Sequence, residues 1–287
     1  MIYCLGDIQY LEREVEQSYM SKEDKSKLDS AGKTMPYGVA IAWGLVKEPQ
    51  RGPKRELSIQ KIVDSAIAIA DEDGLAAVSM SRVAATLGHT AMSIYRYIPS
   101  KDDLLLLMQD ALYDLKLPEN ANSADWREYM RYFVRCMISI YRDHPWITDI
   151  PISGAPVTPN TLRIVDWALQ GLSGFEISAN YKTSMILLLS NYARACGQLQ
   201  VDTLRAFKTG KSFGEFTGED YSKVLKELVT EERFPSLYPL LVSDDNNGEA
   251  NRDQDLNLDQ DFDFGLEVIL DGIELRLRRR MESSEQS

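Results

Sequence analysis

Histidine is scarce in this sequence: His89 and His144 are the two it has in 287 residues. No HExxH pair is present, and no other histidine cluster has the spacing of a zinc site. Cysteine is nearly as rare, and Cys4, Cys136 and Cys196 stand far apart with no CxxC among them. That scatter excludes a disulfide framework and a cysteine zinc site, and suits reduced thiols in a cytoplasmic protein. A GxSxG elbow and a P-loop are also missing. Acid pairs such as Asp244-Asp245 lie in a polar stretch unsuited to holding catalytic geometry. Neither an enzyme nor a metal or cofactor is expected. No apolar run reaches about 18 residues, so no membrane span is expected. The opening "MIYCLGDIQYLEREVEQ" carries acids where a signal peptide needs an apolar core.

Positive charge is in deficit too, with 32 Lys and Arg against 44 Asp and Glu and a net charge of −12. A polyanion partner is disfavoured by that total, but binding depends on where the charge sits. From Lys47 to Leu104 there are eight basic and eight acidic residues, so the acid excess belongs to the rest of the chain. Within that neutral stretch "RGPKR" sets Arg51, Lys54 and Arg55 together without an acid. It is either a basic arm or a solvated linker.

Helical periodicity is what the sequence has in abundance. Ile59, Ile62, Val63, Ala66, Ile67 and Ala70 form one stripe, with Ser58 to cap it and Gly74 to stop it. Short helices are predicted over Ser81–Leu87 and from about Thr90 to Tyr97, joined by Gly88, and another starts at Ser100 or Lys101. Longer ones are predicted at Ala124–Arg142, Pro159–Ser173, Ser178–Phe207, Tyr221–Arg233 and Phe264–Met281, separated by Pro- and Gly-rich breaks. Strand alternation is nowhere convincing, and the predicted fold class is all-α. An N-terminal extension covers 1–50, with Ile8, Leu11, Val15 and Tyr19 at helical spacing. A helix-turn-helix domain with its arm covers 51–104, and a second, larger helical domain covers 105–281. Inside that domain 243–263, with eight acids and one Arg, reads as a flexible loop, and 282–287 as a disordered tail.

The pair of short helices is either plain bundle core or a DNA-reading device. Small residues at Ala84 and Gly88 allow close approach, and Ile94 can bury the second helix against the core. His89, Thr90, Ala91 and Ser93 line the start of that helix, the part that reaches base edges in such motifs. Tyr95, Arg96, Tyr97 and Lys101 follow as phosphate-contact candidates.

These residues carry a resemblance. Ile62 to Met108 resembles the DNA-binding domain of the TetR family of bacterial transcriptional regulators, through Gly74, Ser79, Val83-Ala84, Leu87-Gly88, Ile94-Tyr95-Arg96-Tyr97 and Lys101-Asp102-Asp103-Leu104. "AWGL…RGPK" before it, and "HPW", "ERFP" and "FDFGLEVILDGIE" after it, resemble the subgroup with the TetR-type C-terminal domain. The resemblance implies a homodimer bound to a double-stranded operator through two heads, with a ligand in the helical body altering their separation. It places Tyr95 and Lys101 on phosphates, Ser79 and Ser81 on phosphate at the second helix, and Thr90, Ala91, Met92 and Ser93 against the bases. Many members have Val-Ser-Lys-Gly where this chain has His89 to Met92. Apolar contact of Ala91 or Met92 with thymine methyls can replace a basic reader; the other reading of Met92 is core packing.

For the effector, Trp126, Met130, Phe133, Met137 and Tyr141 share one helical face, and Trp146, Trp167, Met185 and Tyr192 add large groups. They form either an apolar pocket or simple core. Asn191, Arg194 and Gln198 are the buried polar candidates. Dimerisation is expected through 178–207 and 264–281, where Leu266, Ile269, Leu270, Ile273 and Leu277 repeat, unless this surface is buried within the chain. The expected function is a homodimeric repressor released from its operator by a small hydrophobic or amphipathic ligand. The alternative is a DNA-binding architectural or interaction protein on the same fold without a small-molecule effector.

Overall fold

The computed structural model describes residues 35–46, 57–118, 125–151, 154, 157–209, 225, 227–239 and 258–285. Arg51, Lys54 and Arg55, the helix expected near Ile8–Tyr19 and most of the acidic stretch 243–263 lie outside the described residues. The described elements are helices, with no strand among them. They fall into two compact units, one of Met1–Leu115 with Ser153–Leu162 and one of Lys116–Ile152 with Arg163–Ser287. Of the described residues, the first unit takes in 35–46, runs past residue 104 to Leu115, and recruits a later segment that no local pattern could assign to it.

In the first unit, α1 spans Tyr37–Ala42 and α2 Ile59–Asp73. Ser58 caps α2 by accepting from Lys61 N–H at 3.3 Å, and Gly74 ends it at φ 82°, a conformation that favours glycine. Helix α3 is Met80–Thr86, capped by Ser79, and α4 is Ala91–Tyr95. The turn between them is made by Gly88 at φ 72°, with His89 N–H donating to Ala84 O at 2.8 Å. Helix α5, Lys101–Leu112, starts on Ser100 with Asp102 and Asp103 in its first turn, where carboxylates complement the helix dipole. Ile62, Val63, Ala66, Val83, Ala84, Ile94, Ile98, Leu104 and Met108 form the buried core of this unit. Each large aliphatic among them contributes about 1.5–3 kcal/mol by leaving water. Ile59 and Ile67, read into the α2 stripe, are half-buried, and Ile69 takes the inward place.

In the second unit, α6 spans Trp126–Asp143, and a short 3-10 turn follows at Pro145–Asp149. Helix α7, Pro159–Gln170, begins among the residues of the first unit and continues into the second after Leu162. Helix α8 is Ala179–Thr209 and α9 is Leu258–Glu285. Helix α9 starts six residues earlier than its apolar repeat predicts and takes in 282–285, expected as tail. The helix predicted at Tyr221–Arg233 is not sustained: Val229 leaves it, and a turn closes between Thr230 O and Arg233 N–H at 3.2 Å.

Close helix packing in this unit rests on tyrosine rings set against glycines. Tyr129 lies on Gly171, Tyr141 on Gly197 and the Tyr192 hydroxyl on Gly265, each too near to admit a methyl group. Three arginines spaced by four on α6 meet a row of acids on α9. Arg127 binds Glu267, Asp271 and Glu274, Arg131 binds Glu267 through two nitrogens, and Arg135 binds Asp263. The hydrogen bonds from Arg131, then those from Arg127, pull the Glu267 carboxyl down to about 2. The guanidinium pKa values rise in return, chiefly through Asp271 for Arg127 and through Glu267 for Arg131.

Candidate nucleic-acid interface

Helix α4 is only five residues long, so its own hydrogen bonds cannot hold it. Ile94 and Ile98, both fully buried, pin it from behind and turn its opposite face outward. On that face Met92 is 70% exposed and Tyr95 45%. An unpaired thioether side chain this far out of the core is not packing residue, which removes the core reading of Met92. Thr90 is exposed at the N-cap and its hydroxyl pairs with that of Ser93 at 3.0 Å, so neither caps the helix backbone. His89, Ala91 and Ser93 are half-buried beside them. Arg96 and Lys101 are exposed at the end of α4 and the start of α5.

Ser79 and Ser81 are exposed at the start of α3. Ser79 Oγ accepts from Arg82 N–H at 3.2 Å, which leaves its hydroxyl hydrogen available to an outside acceptor. Arg82, the cation nearest to them, is engaged by Asp73 of α2. The described candidates Ser79, Ser81 and His89 to Lys101 thus belong to one unit, on α3, α4 and the turns beside them. What the face offers is hydroxyls, a thioether, a phenol and two cations. Such a set can hold phosphates and meet apolar base edges, with little capacity for bidentate reading of guanine.

The body candidates are placed differently. Trp126, Met130, Phe133, Met137, Tyr141, Trp146, Trp167 and Met185 are buried, and Tyr192 is half-buried. Trp167 stacks on Tyr129 with ring centroids 4.3 Å apart, and Trp126 meets Phe175 edge-on at 5.9 Å. Their polar handles are already used: Trp167 Nε1–H donates to Pro118 O at 3.1 Å, and Tyr192 O–H to Phe262 O at 2.7 Å. Burial, and then a hydrogen bond with Cys196, push the Tyr192 phenol up; burial raises the Cys196 thiol as well. Tyr129 and Phe175 escaped the sequence reading because their partners lie far along the chain. Asn191, expected buried, is exposed, while Arg194 reaches Thr148 O at 3.3 Å and Gln198 binds Asp202 on its own helix. Gln200 is the buried polar residue of that helix instead. A surface cavity of about 460 Å³ lies in the head, lined by Lys61, Ser65, Glu72, Arg82 and Leu87 among others.

Comparison with known proteins agrees with this layout. Residues 62–108 match the bacterial regulatory proteins of the tetR family, and residues 117–277 match the tetracyclin repressor-like C-terminal domain. The transcriptional repressor DrrR1 of Streptomyces coeruleorubidus is 30% identical over 249 residues, which are 85% of this chain and 87% of that protein. A transcriptional repressor of Mycobacterium tuberculosis, Rv1353c, is 27% identical over 229 residues, 77% of this chain and 82% of its own. The crystal structure of Streptomyces coelicolor ActR in complex with actinorhodin superposes with a TM-score of 0.63 at 24% identity, over 77% of this chain and 97% of that one. With one family model spanning more than half of its length and a second on its helix-turn-helix, this chain belongs to the TetR family of bacterial transcriptional regulators.

Proposed function

We propose that the protein is a homodimeric repressor that binds its operator through α4 and is released by a small hydrophobic or amphipathic ligand taken into the second unit. The outward face of α4, with Met92 and Tyr95 exposed over a buried Ile94, is the observation that carries the DNA reading. Thr90, Ala91, Met92 and Ser93, with His89 beside them, meet base edges; Ser79, Ser81, Tyr95, Arg96 and Lys101 hold phosphates. Arg51, Lys54 and Arg55 supply the electrostatic attraction that α4 lacks.

Dimerisation uses α8 and α9, though not the stripe that the apolar repeat suggests. Leu266, Leu270, Ile273 and Leu277 are buried within the protomer and Ile269 is half-buried. Phe264, Val268 and Leu275 on α9 and Leu187, Leu188 and Leu199 on α8 are the apolar side chains left exposed. Two such faces paired across a two-fold form a four-helix bundle. Support for a ligand comes from the relatives: ActR was solved with actinorhodin and with (S)-DNPA. The aromatic group of buried Trp126, Tyr129 and Trp167 with half-buried Phe175 is the part of the second unit we assign to a planar guest.

Selection of duplexes from a randomised pool, followed by footprinting, tests the DNA reading. Recovery of no preferred sequence overturns it. Replacing Arg51, Lys54 and Arg55 with glutamine should then flatten the slope of log affinity against log salt by about 2–3. An effector-free architectural role is the second reading, favoured by the burial of the α6 face and by the hydrogen-bonded polar atoms of Trp167 and Tyr192. Failure of every planar aromatic compound in a screen to weaken operator binding would select it.

A further inference from the structure

Helix α5 carries two carboxylates a heptad apart, Asp103 and Asp110, about 10 Å along one face. Each receives the N-terminus of a helix from elsewhere in the chain, at the second residue of that helix. Asp110 takes α7: its carboxylate accepts from Asn160 N–H at 3.0 Å and Thr161 N–H at 3.3 Å. Asp103 takes α1: its Oδ1 accepts from Gly38 N–H at 2.7 Å, and its Oδ2 from the Ser100 hydroxyl at 2.6 Å. A methyl group at residue 38 would stand 2.6 Å from that Oδ1 and 3.1 Å from Asp103 Cα, so only glycine allows this approach. Val39, Ala40 and Ile41 are buried behind it. The two captured segments are also joined to each other, because Trp43 Nε1–H donates to Val157 O at 2.9 Å, two residues before α7. Neither matched family region includes residues 36–46.

A helix held at one point can pivot about it, and a second tie removes that freedom. We propose that residues 36–45 are a strap that fixes the direction in which α7 leaves α5, which makes Gly38, Trp43 and Asp103 positioning residues for operator binding. Asp110 alone is the pivot; the path Asp103–Gly38–Trp43–Val157 is the second tie. The inference rests on the operator-binding reading, since the strap touches none of the residues proposed to meet DNA except through the first turn of α5.

The test uses the full-length chain, two disrupting variants, Gly38→Leu, which cannot dock, and Trp43→Phe, which keeps an aromatic ring and loses the indole N–H, and one conservative variant, Asp103→Asn. Two quantities are read: amide exchange at Asn160 and Thr161 in the free protein, and affinity for the duplex that the wild type selects from a randomised pool. Both disrupting variants should exchange faster at those amides and bind more weakly, by about fivefold for the part-buried bond of Gly38 and about two- to fivefold for the exposed bond of Trp43. The salt slope should stay unchanged, because no phosphate contact is removed. Asp103→Asn, which retains an acceptor toward Gly38, should bind close to wild type. Unchanged exchange in both variants overturns the strap. Faster exchange with wild-type affinity reduces it to a stabilising contact and overturns the positioning role. A wild type that selects no duplex fails the operator reading instead, and the exchange result still decides whether the strap exists.

Discussion

Asp110 accepts from both the backbone and the side-chain nitrogen of Asn160, fifty residues further along the chain, and both residues are buried. The Asn160 amide also reaches Asp110 O at 3.2 Å. Removing the carboxylate would strand the first N–H groups of α7 and leave the buried Asn160 amide only Asp110 O. Asp110→Ala should therefore lower stability by roughly 2–3 kcal/mol in chemical denaturation, against about 1 kcal/mol for Asp110→Asn, which keeps one acceptor.

Met92 and Tyr95 separate binding from folding. Neither side chain is needed in the core, so Met92→Ala and Tyr95→Phe should move stability by no more than about 0.5 kcal/mol. Loss of an apolar base contact should cost Met92→Ala on the order of tenfold in operator affinity, mostly at one base position of the site. A mobility-shift titration against single-base operator variants reads both. A uniform loss across all positions would assign Met92 to general packing against the backbone instead.

Glu267 gives the second unit an acid limit. Its folded pKa, about 2, lies below the ordinary value of 4.5 because Arg131 and Arg127 hold the charged form. Its contribution is therefore complete above about pH 4.5 and disappears as pH falls toward 2. The side chain is 40% exposed, and screening reduces the gain to about 1 kcal/mol. Thermal melts of the wild type should lose that increment between pH 4.5 and 2, while Glu267→Gln should start lower and vary less over the same window.

Two glycines in helices should respond to alanine with opposite signs. A methyl on Gly197 runs into the Tyr141 ring, whereas nothing lies within 4 Å of one on Gly272. Overpacking of about 1–3 kcal/mol outweighs the propensity gain at Gly197, so Gly197→Ala should be destabilising. Gly272→Ala should stabilise by up to about 1 kcal/mol. Equilibrium unfolding of the two variants side by side checks the contrast.

The helices and the reading face were legible in the sequence because their signals are local. Ser58 and Ser100 cap where they should, Gly74 and Gly88 turn the chain, and Ile94 alone marks which side of α4 is inward. What stayed hidden depends on distant partners. Asp103 reads as an ordinary first-turn acid, and nothing near it announces Gly38. Trp167 sits in an apolar stripe, and only the fold brings Tyr129 beneath it. The apolar repeat of α9 is a related case: Leu266, Leu270, Ile273 and Leu277 are taken up inside the protomer, and only the fold shows it.

The arginine row on α6 has a consequence for how α9 finds its place. Arg127, Arg131 and Arg135 and the acids Asp263, Glu267 and Asp271 share a four-residue step, which the sequence continues back to Asp259. Sliding α9 by one step, about 6 Å, so that Glu267 takes the place of Asp271, would still put a carboxylate opposite each guanidinium. Charge pairing thus attracts the helix strongly but is degenerate in register. The degeneracy is broken by shape: Tyr192 meets Gly265, and a slide of one step either way would bring Asp261 or Ile269 against its hydroxyl. A single missing side chain, not the many charges, selects the alignment from which Phe264, Val268 and Leu275 are presented to the outside.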